Sequence, residues 1–274
     1  MKLLKTLKRK AVRLPLRHVL TGLVIAWICI LIVLPLGCII NKVFVHGLFT
    51  CLKGLLESTS RYAFAMTFWL TLGAVVLNTI FGLVLALVLV RQKFKGKLLL
   101  EGLIDLPFAV SPIVAGFMFI TLFGNQGWLG SFFDEKGIKI IYAFPGMMIA
   151  TLFVTFPFVI REVVPVLREY GVEQEESAYV LGASQWQTFW RVTLPSIKWG
   201  LFYGITLTIA RSIGEFGAVL VVSGAIINKT QTATLYVHQQ FTDFNYTGAF
   251  AAAMVLAIIS FMILTGIQLS QKRI

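Results

Sequence analysis

Uncharged apolar runs, each long enough to cross a bilayer, alternate with short polar segments over most of this sequence. Residues 19–41, 62–90, 106–133, 140–160 and 244–271 contain no Asp, Glu, Lys or Arg, and about 20 mostly apolar residues are enough for a spanning helix. A further run, 199–222, is of similar length but carries Arg211 and Glu215. None shows the short apolar-polar alternation of a transmembrane β-strand. Backbone groups in hydrocarbon have to be satisfied within the segment, so the pattern predicts an all-α, polytopic membrane protein with six transmembrane helices.

Composition agrees with this. Of 274 residues 58% are apolar and 13% charged, with 24 Lys and Arg against 12 Asp and Glu, a formal net charge of +12. A soluble domain covers its surface with about a quarter charged residues, and the mean hydropathy of +0.86 excludes that class. A basic excess would suggest nucleic acid if it lay on a polar surface. Here the charges sit between apolar runs, so lipid is the expected neighbour and no nucleic acid is.

The basic residues also predict an orientation. Segment 1–18 holds seven of them and no acid. The run at 19–41 exceeds the about 7 to 15 residues of a signal-peptide core and is followed by no small-x-small site, so it is expected to persist as the first helix. Counted by connection, seventeen Lys and Arg lie on the side of segment 1–18 and six on the other, which predicts cytoplasmic N and C termini. The core is then 62–271. Cys29, Cys38 and Cys51 show no metal-ligand spacing, and His18, His46 and His238 belong to no zinc motif. No resident metal or cofactor is expected.

The predicted cytoplasmic connection 161–198 is the acidic exception, with Glu162, Glu169, Glu173, Glu175 and Glu176. Ser184 followed by Gln187 reads as a capping box opening a short helix from Gln185 to about Val192, with Trp186, Phe189 and Trp190 on it. A second short helix precedes it over 173–181, and Gly182 and Ala183 mark the break. Pro195 suits the first turn of the next helix. Two helices meeting at a glycine beside aromatics describe either a knob for a partner's groove or a solvated loop with amphipathic turns.

Glu176-Ser177-Ala178, three residues, Gly182, nine residues, then Val192-Thr193-Leu194-Pro195 resembles the EAA loop of ABC importer permeases. Ser177 stands for the usual alanine and Val192 for isoleucine. The resemblance implies a type I ABC importer permease fold in a bacterial inner membrane. It also implies that Glu176, Ser177, Ala178, Gly182, Ala183, Leu194 and Pro195 form the coupling element that docks on a cytoplasmic ATPase dimer. The segments 105–112, 156–166 and 210–218 are similar to those of the sulfate/thiosulfate permeases, closest to the W-type subunit. That implies a T-type second permease subunit and an extracytoplasmic sulfate-binding protein as partners. The molybdate permeases are similar at Gly214-Glu215-Phe216-Gly217 but usually lack a counterpart of the first helix, which leaves a molybdate or tungstate permease as the alternative.

An ionisable residue inside a span costs several kcal/mol and marks a candidate functional site. Arg211 and Glu215, four residues apart on one helical face, lie about 24 and 30 Å of helix rise beyond Pro195. Two readings stand: the pair neutralises itself or a neighbouring helix, or Arg211, with Ser212 and Glu215, lines a translocation path and attracts a dianion. Asp105 before Pro107 reads as an ordinary helix start. Gly214, Gly217 and Gly224 allow close packing or a bend.

The chain lacks a G-x-x-x-x-G-K-[ST] pattern and G-x-S-x-G, H-E-x-x-H and C-x-x-C motifs. The reading is therefore a transport subunit whose ATP and Mg²⁺ are bound by its ATPase partner. An integral-membrane enzyme would need more polar residues than these spans offer, and an ion-coupled carrier would be expected to show paired repeats with broken helices, which the sequence does not reveal.

Overall fold

The computed structural model describes residues 18–271; segment 1–17, with most of the predicted basic leader, lies outside the described residues. Among these, the secondary structure is entirely helical. Helix α1 spans His18–Val45, α2 Leu48–Leu55, α3 Ser58–Arg91, α4 Lys97–Ala109, α5 Pro112–Phe123 and α6 Gly130–Asp134. Then come α7 Phe144–Tyr170, α8 Glu173–Val180, α9 Gln185–Ile213, α10 Gly217–Ser223, α11 Ala233–Thr242 and α12 Tyr246–Gln271.

Four of these, α1, α3, α7 and α12, are long and apolar enough to cross a membrane unaided, and the number is six if each of the bent pairs α4/α5 and α9/α10 is one span. The pair α4/α5 turns through 111° and α9/α10 through 53°. Helix α4 runs antiparallel beside the C-terminal half of α7, while α5 turns away to pack chiefly on α10 and touches α7 near Phe153. Glu101 meets Arg168 and Asp105 meets Arg161; Phe108 meets Phe158 and Phe119 meets Phe153, both edge to face at 5.5 Å. From Arg168 to Phe153 is about 22 Å of helix rise; counted as one span, the pair is an interrupted crossing.

Several helices depart from the predicted spans. The third crossing occupies 97–123 rather than 106–133, because Glu101 and Asp105 interrupt the uncharged run but are neutralised from α7, while apolar Phe132 and Phe133 belong to the separate short helix α6. Asp105 lies inside α4 with Pro107 also internal, so it is not a helix start. Helix α7 continues past Ile160 to Tyr170 through Pro157 and Pro165, and α9 begins at Gln185. Of the acidic connection 161–198, only its middle stands outside long helices. The expected break before Pro195 is absent: Phe189–Thr193 winds as a π-turn in which the Leu194 N–H donates to the Phe189 carbonyl. A wide turn accommodates a proline that lacks a donor and crowds the preceding carbonyl. The same device, Cys29–Val33, precedes Pro35 in α1.

Helix α7 is the centre of the bundle. Its Val159, Val163 and Leu167 pack with Ala86 of α3 and Ile197 of α9, and Asn78 Nδ2 donates to Thr155 Oγ1 at 2.7 Å. Helix α9 approaches α7 through Gly200 and Gly204. A Cβ on Gly200 would lie 2.8 Å from the Glu162 carbonyl oxygen, and one on Gly204 2.8 Å from the Val159 Cα. This is small-xxx-small packing, which lets backbones approach where lipid supplies no hydrophobic drive. By contrast, α1 is exposed over most of its length and joins the body through Val43 against Ala251 of α12.

Gly204→Leu is expected to force α9 off α7. Overpacking of this kind costs about 1–3 kcal/mol, so the variant should melt several degrees lower in detergent, whereas Phe202→Leu, at an exposed position, should match the unsubstituted protein in the same thermal scan.

Candidate functional site

Two places at opposite ends of α9 gather the residues singled out in the sequence. The first is the corner between α8 and α9. Gly182 adopts φ +87°; its N–H donates to the Tyr179 carbonyl at 2.9 Å and the Ala183 N–H to the Ala178 carbonyl at 3.0 Å. This is a Schellman ending, which requires a left-handed residue after the helix and so favours glycine. A Cβ at Gly182 would meet nothing within 4 Å, so the demand for glycine comes from the backbone and not from crowding. Ser184 then caps α9: its Oγ accepts from Gln187 N at 3.3 Å and Gln187 Oε1 accepts from Ser184 N at 2.9 Å, completing the capping box.

The corner presents uncovered apolar side chains. Val180 and Leu181 are 88% and 87% exposed, and Trp186 69%; Trp186, Phe189 and Trp190 stack or meet edge to face. Glu176 is exposed. Ser177 donates its hydroxyl to the Glu173 carbonyl of its own helix at 2.8 Å, leaving an alanine-like surface. Thus Glu176, Ser177, Ala178, Gly182 and Ala183 form one corner. Leu194 and Pro195 do not join it: they lie about 15 Å further along α9, Leu194 packing against the Ala86–Val163 core and Pro195 exposed behind the π-turn.

Sequence reasoning gave no role to Glu175, which accepts from both Arg91 Nη2 and Thr193 Oγ1 at 2.9 Å. A base closing a span and an acid opening the next connection were visible signals, but their pairing joins positions 84 residues apart.

The second place is the interruption between α9 and α10. Helix α9 stops at Ile213, so Glu215 is not on the same helical face as Arg211 but in the break, where it is 2% exposed. Arg211 Nη1 lies 2.6 Å from Glu215 Oε2. The other carboxylate oxygen, Oε1, accepts from the Ala218 N–H in the first turn of α10 at 2.9 Å, and the Glu215 carbonyl accepts from Thr234 Oγ1 at 2.7 Å. The pairing reading of Arg211 and Glu215 is thus realised geometrically, while Arg211 keeps about a third of its side chain exposed (32%). Ser212 is buried, and its hydroxyl has no hydrogen-bond partner among the described residues.

The two interrupted crossings meet here. A Cβ on Gly217 would lie 3.1 Å from Pro112 Cβ, and one on Gly116 3.0 Å from the Ala218 carbonyl. The first turns of α5 and α10 therefore stand side by side, and helix starts carry partial positive charge. Behind them, segment 223–234 folds back: Thr230 Oγ1 donates to the Ser223 carbonyl at 2.7 Å and Ala233 N donates to Thr67 Oγ1 of α3 at 2.8 Å. The arrangement offers an arginine and helix starts at a break in the bundle. Among the described residues, no three His, Cys, Asp or Glu side chains cluster as metal ligands.

A bundle with two interrupted crossings and an exposed helical corner defines a membrane transport subunit. The structure superposes on a chain of a bacterial ABC transporter that imports the acidic polysaccharide alginate, with a TM-score of 0.78 at 17% identity, covering 100% of this chain and 99% of that one. In sequence it is 45% identical to a sulfate transport system permease protein CysW of Synechocystis over 94% of this chain and 93% of that protein. It is 43% identical to the CysW protein of Escherichia coli K12, covering 85% and 80%, and 35% identical to that organism's CysT, covering 92% and 91%. Residues 78–274 match the model of the binding-protein-dependent transport system inner membrane component. The chain belongs to that family, and it is a multi-pass membrane protein.

Arg211→Ala leaves the Glu215 carboxylate buried without its counter-charge, which costs about 3–5 kcal/mol. Accumulation and detergent melting temperature should drop sharply. The paired substitution Arg211→Met with Glu215→Met should recover most of that loss in the same melting measurement, because it removes both charges.

Proposed function

We propose that this chain is the permease subunit of an ATP-driven importer for sulfate or thiosulfate, forming half of the translocation path. The observation that carries the reading is the α8–α9 corner. Val180, Leu181 and Trp186 lie uncovered on a helical turn whose geometry is pinned by Gly182 and the capping box. A rigid apolar projection at the end of a membrane bundle suits a groove on a soluble partner, and the partner proposed is an ATPase dimer that binds ATP and Mg²⁺. The excess of Lys and Arg on this side supports placing the corner and both termini in the cytoplasm.

A second permease subunit completes the path, in a heterodimer with a T-type chain. An extracytoplasmic binding protein delivers the substrate. Sulfate as cargo is supported by the names of the relatives, and a dianion suits the exposed part of Arg211 at the break between α9 and α10. On this reading Arg211 attracts the anion and Glu215 holds the guanidinium in place, with Ser212 on the same wall. Closure of the ATPases on ATP draws the two corners together and opens the path outward. Hydrolysis belongs to the partner.

Two measurements test this. Affinity-tagged permease should retain its ATPase through purification, and Gly182→Val, which cannot hold φ +87° without strain, should lose it; a permease that imports without any ATPase refutes the proposal. In cells carrying this system alone, labelled sulfate should accumulate, with excess thiosulfate competing and molybdate not. Competition by molybdate at equal concentration would move the assignment to the molybdate class.

A further inference from the structure

Helix α8 is held to the bundle in an unusual way. None of its residues is buried, so no apolar face anchors it. Both of its covalent attachments are glycines at positive φ: Gly171 at +64°, after α7, and Gly182 at +87°, before α9. With no buried face to press on, a push on α8 reaches the transmembrane helices chiefly through polar side chains that tie it to its neighbours.

Glu175 provides the short, charged tie; a second, from Ser196 Oγ to Gln174 Oε1, is stretched to 3.5 Å and exposed. Its Oε1 accepts from Arg91 Nη2 and from Thr193 Oγ1, each at 2.9 Å. Arg91 is the last residue of α3, and its Nη1 also reaches the Leu167 carbonyl of α7 at 3.4 Å. Thr193 is the last residue of the π-turn in α9. The charged side chains are only 18% and 15% exposed, so the contact is shielded from the screening that makes surface ion pairs weak. One carboxylate therefore joins α8 to the end of α3 and to α9 at its wide turn, with α7 reached through the arginine.

We propose that Glu175 is the positioning residue that carries motion of the corner into the bundle, with Arg91 and Thr193 as its receivers. It rests on the reading of the corner as the ATPase dock, and it separates two jobs: the corner binds the partner, and Glu175 makes a displacement of α8 pull on α3 and α9. Helix α9 runs from Thr193 about 27 Å to Arg211, so the pull arrives at the interruption. Without the tie the partner stays bound, but a displacement of α8 is no longer passed to α3 and α9 and the spans stay where they are.

The test uses the complete transporter, purified with its ATPase and second permease subunit and reconstituted with its binding protein. Glu175→Gln should keep the ATPase bound and its unstimulated hydrolysis unchanged. Hydrolysis stimulated by loaded binding protein, and sulfate uptake, should fall roughly tenfold or more, the scale of ordinary coupling between sites. The exchange of R91E with E175R should restore most of the stimulation, which a loss of fold would not allow. Thr193→Val should lower the sulfate moved per ATP, and Thr193→Ser, which retains the hydroxyl, should not; these variants leave the ion pair in place and decide the matter if Glu175→Gln fails to accumulate. Uptake by Glu175→Gln within about twofold of the unsubstituted protein, or indistinguishable behaviour of Thr193→Val and Thr193→Ser, overturns the proposal. An unsubstituted permease that holds no ATPase overturns the docking reading itself, a result distinct from a bound ATPase that is indifferent to Glu175.

Discussion

A carboxylate enclosed in a membrane bundle has to be matched on both oxygens, and the way Glu215 is matched organises one half of this molecule. One oxygen faces Arg211 and the other takes the Ala218 amide. Helix α9 therefore stops before Glu215 and α10 starts after it. The freed backbone is satisfied locally, by Thr234 on the Glu215 carbonyl and by the Thr230 and Ser223 contacts behind it. An interruption of this kind is tolerated at membrane depth only where protein encloses it, and α5 supplies the enclosure through Pro112 and Gly116. The α9/α10 bend accommodates the buried charge, while the α4/α5 bend falls at extended Val110 and Ser111 before Pro112.

The opposite end of α9 uses the same economy of charges near the surface. Arg161 and Arg168 hold α4 along α7, while Arg91 holds α8 through Glu175. The first two pairs are half exposed and set register more than stability. The third is enclosed, and its loss would strand a charge. Between the two ends, α9 is stiffened by its approach to α7 at Gly200 and Gly204 and softened at one wide turn ahead of Pro195. A helix tied at both ends is suited to report at one end what happens at the other.

Much of this was legible from residue order. The first, second and last crossings, the α8 helix, the glycine at 182 and the Ser184–Gln187 box all appear where the apolar runs and capping residues place them, because each depends on neighbours within a few positions. The interrupted crossings were not legible in this way. Counting uncharged residues truncated the α4/α5 crossing at Glu101 and Asp105, whose partners lie 67 and 56 residues away. Pro195 was read as a helix start by its usual preference, yet a π-turn carries the helix past it. Glu175 looked like one acid among five, since nothing local distinguishes an acid bound to a distant arginine from one in water.

Local chemistry and the solvent thus account for the class of the molecule: a chain with these apolar runs must form helices that close their own hydrogen bonds, and with these caps must turn at Gly182. Which charges pair, where two crossings break, and which carboxylate ties the exposed corner to the bundle depend on side chains brought together from far apart in the sequence. Those contacts form only when the helices are already packed, since burial is what makes a charge left without its partner costly. For that reason they leave no periodic trace in the order of residues.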